Sequence, residues 1–186
     1  MSVELDRLAQ FFGEPSQQPT ATPWERSLAE VGFAFPADYR EFVDQYGSVR
    51  INGELSVPVP TLRSYDGGPI VGFPGFLRLT TDGVAADLAG DPDCPYLVHP
   101  EPGGLIAWGS NLNADQFFWL TEGGDPDSWP VVAFYRSPEE WDRFDGGFAA
   151  FLLAVVEGTY AYADEVAPAN PDEPLCRYQG DWTWVE

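Results

Sequence analysis

The sequence predicts an α+β fold in a single domain, with helices packed around a mostly antiparallel sheet. Helical spacing of apolar residues occurs three times before residue 47 and once more after residue 144. Between these regions, Glu101–Trp129 contains two apolar runs, Leu105–Trp108 and Gln116–Leu120, separated by the polar connection Gly109–Asp115. Apolar runs that are rich in aromatic and β-branched residues and bounded by turn residues are typical of neighbouring antiparallel strands. We therefore expect these two strands at the centre of the sheet.

The first two helices are predicted from spacing and from capping residues. Apolar residues recur at near-helical spacing over Val3–Phe12, which predicts the first helix. The run TPWE at residues 22–25 predicts the start of the second. There Thr22 is expected to cap the helix, Pro23 to take the first helical position and Glu25 to complete a capping box. Gly32 is expected to end it.

Two further helices are predicted from apolar stripes. The third is predicted within the segment Phe35–Gly47, which Gly47 closes; its stripe consists of Tyr39, Phe42, Val43 and Tyr46. The last ends before Gly158, and its apolar positions are Phe144, Phe148, Phe151, Leu152, Val155 and Val156. Stripes of this width bury one face of each helix against the sheet.

Further strands are predicted on both sides of the central pair. Alternation over Val49–Val57 predicts one strand with one buried face, which Pro58 and Pro60 end. Trp129–Tyr135 is a third apolar run beside the central pair. Three segments are less regular. Asp82–Leu88 is predicted as a short helix or a loop, Tyr96–His99 as a short strand, and Arg136–Trp141 as an edge segment with a turn.

The composition indicates a folded domain with a strongly acidic surface. A chain of 186 residues with 44% hydrophobic and 15% aromatic residues buries a core and is not of the disordered class. Thirty acidic residues oppose nine basic ones, all arginines, for a net charge of −21. Such a surface repels nucleic-acid phosphates and anionic membranes. It favours a basic protein partner; an acidic surface that binds nothing is the alternative.

The sequence predicts a cytoplasmic protein. The first residues carry acids where a signal peptide needs a basic start. No apolar run approaches the roughly 20 residues of a membrane span. Cys94 and Cys176 lack metal-ligand spacing and are expected to be free thiols, with a disulfide between them as the alternative.

Several motifs together resemble a known family. A helix that starts with Trp24 is followed by Phe35-Pro36-Ala37-Asp38-Tyr39-Arg40-Glu41-Phe42 and then by Tyr46-Gly47. This order resembles the amino-terminal signature of the SMI1/KNR4 (SUKH) family, with Phe35 in place of the usual leucine and Ser48 in place of a second glycine. The later motifs of the same order are Gly104–Gly109 with Asp115, Phe118 and Trp119 after it, Trp129–Val132, and the final Phe151-Leu152-Leu153 helix.

The resemblance implies both a fold and a function. It implies a SUKH-like α+β domain over residues 1–158, with residues 159–186 as a proline-rich tail. Trp182 and Trp184 in that tail suggest that its end docks on the domain, because exposed large aromatic residues are costly. Many bacterial members are immunity proteins that bind and neutralise a cognate toxin, often a nuclease or deaminase. Other members are interaction or regulatory adaptors, and the family is not one of enzymes.

The best candidate contact surface follows the central strands. An acidic loop runs over Glu122–Asp127, and tryptophans beside acidic residues make plausible anchors for a partner. The predicted partner-binding residues are Asp115, Trp119, Glu122, Asp125, Asp127 and Trp129. Core packing of the tryptophans and a solvated hairpin loop are the alternatives.

No catalytic residue, cofactor or metal site is predicted. Asp91-Pro92-Asp93 and Asp125-Pro126-Asp127 lack the remaining ligands of a calcium loop. His99 is the only histidine and stands at an expected strand end, which favours a structural role. Carboxylate pairs such as Glu101 with Asp115 leave one enzyme alternative, an acid-dependent hydrolase, which requires two carboxylates that line a deep pocket.

Overall fold

A computed structural model gives an α+β fold built on one antiparallel sheet, as the sequence predicts. It describes residues 2–15, 18–19, 21–59, 77, 83 and 94–179. The described helices are α1 (Val3–Phe12), α2 (Trp24–Val31), α3 (Ala37–Tyr46), α4 (Phe148–Val156) and α5 (Ala163–Val166). The strands are β1 (Val49–Ile51), β2 (Leu55–Val57), β3 (Leu105–Ser110), β4 (Gln116–Leu120), β5 (Val131–Tyr135), β6 (Glu140–Phe144) and β7 (Cys176–Tyr178). The strand order is β6-β5-β4-β3-β2-β1-β7, so β3 and β4 lie near the centre.

One face of the sheet packs against α3 and α4. The ring of Trp108 in β3 meets that of Phe148 at 4.9 Å, and the ring of Trp119 in β4 meets that of Tyr39 at 5.0 Å. Both tryptophans are fully buried. Edge-to-face contacts of this kind add to the stability that burial of apolar area provides. The central strands therefore belong to the core.

The helix predictions hold, except at the start of α2 and at the start of α4. The range of α1 is the predicted one, α3 lies within the predicted segment and ends before Gly47, and Gly32 adopts the left-handed conformation that ends α2. Pro23 occupies the cap position, whereas the sequence predicts it one residue later. Thr22 makes no capping bond, and its buried hydroxyl has no hydrogen-bond partner among the described residues.

The strand predicted over Val49–Val57 is wrong in one respect, because it is a hairpin of β1 and β2. Asn52 and Gly53 both have positive φ, 51° and 76°. The N–H of Glu54 donates to the carbonyl of Ile51 at 2.9 Å, which closes the turn. Asn-Gly is the pair that tolerates these angles best, so the turn residues reverse the chain in the middle of the alternating pattern.

Three other predictions change in detail. Phe144 ends the edge strand β6, and α4 starts only at Phe148, because Gly146 and Gly147 lie between them. The segment Tyr96–His99 makes a single bridge to β3 rather than a strand. The expectations for Asp82–Leu88, apart from Gly83, and for Asp91-Pro92-Asp93 fall outside the described residues.

The tail is part of the same sheet. Strand β7 pairs with β1 in antiparallel register, and an ion pair joins Arg177 in β7 to Glu173. Trp182 and Trp184 lie outside the described residues. Cys94 and Cys176 are free thiols, and burial raises the pKa of Cys176 to about 12. No helix in the described part of the chain has the length and apolar character needed to cross a bilayer.

Candidate functional site

Three of the six predicted partner-binding residues lie inside the domain. Trp119 is 0% exposed, Asp115 5% and Trp129 7%. Trp119 points toward the helices, because it alternates with Phe118 along β4 and packs on Tyr39. These three side chains therefore present little or no surface to a partner in the folded domain. Core packing, the alternative for the tryptophans, describes them correctly.

Asp115 has a structural role. One of its carboxylate oxygens accepts from the backbone N–H of Arg136 at 2.9 Å, and the other accepts from the amide of Asn111 at 2.8 Å. The same amide donates to the carbonyl of Glu165 at 3.0 Å. The carboxylate thus ties the β3–β4 hairpin to the segment after β5, and Asn111 ties it to α5. Buried carboxylates are tolerated when they are bonded in this way.

The other three predicted acids lie on the surface, and each is tied to a neighbour. Glu122 forms a paired contact with the guanidinium of Arg143, at 2.6 and 3.0 Å. Asp125 accepts from the N–H of Asp127 and caps the short 3-10 turn of residues 126–128. Asp127 accepts from the N–H of Ala37, the first residue of α3, at 2.6 Å. The loop is therefore fixed in place.

Asp127 also lines a concave site, which we call the acidic groove. The groove has a volume of about 340 Å³. Its described lining consists of Ser2, Glu4, Ala37, Asp38, Glu41, Asp127, Gly147, Ala149 and Ala150. Four of these nine residues are acidic and none is basic, so the groove suits a positively charged group.

The acidic groove forms where three helices begin. Ser2 and Glu4 belong to the start of α1, Ala37 and Asp38 to the start of α3, and Gly147 precedes α4. Helix amino termini carry partial positive charge and unpaired N–H groups, which favour acidic side chains nearby. The convergence of three such ends explains why carboxylates collect there.

Asp38 joins two of these helices. One carboxylate oxygen accepts from the N–H of Tyr39 at 2.7 Å, and the other accepts from the N–H of Ala149 in α4 at 2.9 Å. A Cβ on Gly147 would lie 2.9 Å from the second oxygen, so a residue without a side chain allows the approach. Asp38 therefore caps α4 from another element, and Asp127 does the same for α3.

The electrostatics of the groove are repulsive. Burial raises the pKa of the Asp38 carboxyl, the negative charge of Asp127 raises it further, and the N–H donors of Ala149 and Tyr39 oppose both effects. A cation that enters the groove stabilises two carboxylates that otherwise repel each other there. The arrangement can bind an arginine or lysine side chain.

Sequence reasoning found Asp127 but missed Glu4, Asp38 and Glu41. Asp38 and Glu41 are part of the motif that resembles the SUKH signature, which is the only sequence signal that singles them out. Glu4 carries no signal beyond its place in the first turn of α1. The three come together only through tertiary packing, which residue spacing along the chain does not encode.

The other candidate chemistry remains weak among the described residues. The ring of His99 packs against Phe33 at 5.5 Å, and burial lowers its pKa. No group of three or more His, Cys, Asp or Glu side chains in the described ranges has the arrangement of a metal site. Comparisons of this chain with protein-family models, with curated proteins and with solved structures gave no match.

Proposed function

We propose that this chain is a non-enzymatic binding protein that neutralises a basic toxin domain by direct contact, as a SUKH-type immunity protein. The single observation that carries the proposal is the acidic groove, with four acidic residues and no basic residue in its described lining. The net charge of −21 and the resemblance of the motif order to the SUKH family support it. A cognate toxin of the nuclease or deaminase type is the proposed partner.

The groove would make the specific contact with the partner. The negative charge on the rest of the surface would attract the partner from a distance. A lysine or arginine of the partner would enter between Asp38 and Asp127 and relieve their repulsion. Hydrogen bonds to charged groups contribute about 1.5–3 kcal/mol each when they are well made. The overall acidic field would raise the association rate and reject acidic proteins.

The first alternative is an adaptor that uses the same groove for a partner that is not a toxin. Both proposals predict binding, so the gene beside this one discriminates between them. A neighbouring toxin domain favours the immunity protein. Capture of a defined non-toxin partner by the groove favours the adaptor.

The second alternative, a carboxylate-dependent hydrolase, is favoured by one observation: Asp38 and Asp127 line the same cavity, and the pKa of Asp38 is raised. A general acid must carry a proton, however, and both oxygens of Asp38 accept backbone N–H bonds, which favour the ionised form. Stoichiometry separates the two functions. A binding protein neutralises one toxin per molecule, whereas a hydrolase acts at far lower ratios.

The test is a titration of the neighbouring toxin domain, with its activity and its affinity for the chain as readouts. We expect inhibition that is complete near one molecule of chain per toxin. The double variant Glu4→Lys/Glu41→Lys should weaken binding by about tenfold or more, since each lost charge contact is of the order of 1 kcal/mol. Asp127 is a poorer choice, because its reversal would also remove the cap of α3.

A charge-matched control uses acids at the other end of the sheet. Glu54 lies in the β1–β2 turn and Asp172 lies shortly before β7. The variant Glu54→Lys/Asp172→Lys makes the same change in net charge. Equal losses of affinity in the two double variants would show that only total charge matters, and the groove would lose its assigned role.

A further inference from the structure

The outer edge of β6 has no strand partner among the described residues. β6 ends the sheet order, and no described residue pairs with its outer side. Glu140 and Arg143 are exposed and the other three residues are partly exposed, whereas all but one residue of β5 are buried. An edge strand presents unpaired backbone N–H and C=O groups, which an extended segment of another chain can bond.

Side chains of β6 are held by contacts on both faces of the strand. The hydroxyl of Tyr160 donates to Asp142 at 2.6 Å, and the hydroxyl of Tyr162 donates to Glu140 at 3.0 Å. On the other face, the ring of Trp141 packs on that of Phe134 at 4.6 Å. A fixed edge loses little conformational freedom on binding. β6 is therefore prepared to accept a strand.

The charge around β6 determines which kind of segment can add to it. Acidic residues surround the edge: Glu139, Glu140, Asp142 and Asp145. Arg143 is the only basic residue within β6, and it is already paired with Glu122 and Asp145. A second copy of this chain brings a charge of −21 and is repelled. A segment rich in lysine or arginine is attracted.

We propose that an extended, basic segment of the partner protein adds to the sheet as a strand beside β6. The inference rests on the proposed function only in that the partner is a basic protein. The backbone of β6 supplies the hydrogen bonds, and the acids around it set the preference for lysine or arginine. The acidic groove lies close in sequence, because Gly147 in its lining comes shortly after Phe144, the last residue of β6.

The experiment measures hydrogen exchange of backbone amides in the full chain with and without a synthetic peptide. The probe alternates lysine and valine over about eight residues, the length of a long strand. We expect slower exchange of amides within Glu140–Phe144. The variant Glu139→Lys/Asp145→Lys should bind the peptide about tenfold more weakly, and the control Glu54→Lys/Asp172→Lys should bind it as the native chain does. Thermal unfolding checks that each variant is folded.

Any of four results would overturn the proposal, three with the peptide and one without it. With the peptide, these are no binding, binding that leaves amide exchange in β6 unchanged, and equal loss of affinity in both double variants. Self-association through β6 without the peptide would also overturn it. The groove variant Glu4→Lys/Glu41→Lys should still show peptide protection at β6. The experiment therefore distinguishes failure of the proposed groove contact from failure of strand addition at β6.

Discussion

A single carboxylate, Asp38, connects the resemblance motif to the site. It lies in the segment that resembles the SUKH signature, it caps α4 through Ala149, and it lines the acidic groove. Its placement has an energetic cost, because burial and the charge of Asp127 disfavour its ionised form. Asp38 both joins α3 to α4 and faces the acidic groove. Its ionisation therefore affects the stability of the domain as well as the charge of the groove.

That coupling leads to a pH dependence of stability. The pKa of Asp38 is raised on folding above its ordinary value of 3.8, so the folded state binds the proton more tightly than the unfolded state. Its contribution to the free energy of unfolding is greatest below that value and falls as the pH rises through the folded pKa. We expect the free energy of unfolding of the native chain, relative to Asp38→Asn, to decrease as the pH rises above about 4.

Urea unfolding of both chains between pH 4 and pH 7 measures this difference. Asparagine keeps a carbonyl oxygen that can accept from Ala149 but cannot ionise, so the subtraction isolates the titration. The acids that face Asp38 across the groove, Glu4, Glu41 and Asp127, are present in both chains. A difference that is constant with pH, or that grows as the pH rises, would contradict the assignment.

At the scale of elements, the start of β3 depends on close backbone contact. A Cβ at Gly104 would lie 2.5 Å from the backbone of Val98 and of His99, and 2.8 Å from the carbonyl oxygen of Glu101. These are backbone atoms, so they cannot swing away. We expect Gly104→Ala to lower the free energy of unfolding by about 1–3 kcal/mol, the usual cost of overpacking.

The matched control is Gly124→Ala, in the loop after β4, where a Cβ meets nothing within 4 Å. Denaturant unfolding of the two variants should give a clear loss for Gly104→Ala and a change within about 0.5 kcal/mol for Gly124→Ala. Equal stability of both variants would mean that the loop before β3 adjusts freely, contrary to the contacts described above.

Elements with a strong local pattern were predictable, and those decided by one turn were not. The ranges of α1 and α3 follow from their apolar stripes. The hairpin of β1 and β2 carries a clear signal in Asn52-Gly53, but the alternation of apolar residues on both sides of that pair imitates one continuous strand. Phe144 lies on the helix-facing side of β6, where its ring contacts that of Phe151. Its position in the sequence also fits the helical spacing of the α4 stripe, so spacing alone assigns it to the helix.

The acidic groove was less predictable from sequence than the fold, because it depends on how the whole chain packs. The acidic groove takes residues from α1, α3, the 3-10 turn and the start of α4. Their convergence depends on packing between distant parts of the chain. The loop Glu122–Asp127 was singled out from sequence because it is acidic and local. For the tryptophans beside it, partner contact and core packing are both open from sequence, because sequence alone does not say which strand face is covered.

The charge of the whole molecule leads to a kinetic prediction. With a net charge of −21, association with a basic partner should be accelerated by long-range attraction. Added salt screens this attraction beyond about 10 Å at 0.1 M. We expect the association rate to fall by the order of tenfold between low and high salt, while the dissociation rate changes little.

Stopped-flow or surface-binding kinetics across a salt series give both rates. The control partner is a charge-neutralised variant of the toxin domain, whose association should depend weakly on salt. An association rate that does not change with salt would show that electrostatic steering plays no part in recognition.

The pairing of β7 with β1 has a consequence for biosynthesis. The two strands are neighbours in the sheet, yet most of the chain separates them in sequence. During translation β1 therefore leaves the ribosome with one edge unpaired, and it stays so until β7 has also emerged. Pairings between distant segments form late, because closing a long loop costs entropy first. A nascent chain that carries an open edge for this long is exposed to wrong pairing, and its acidic residues give it a means of repelling other copies of itself.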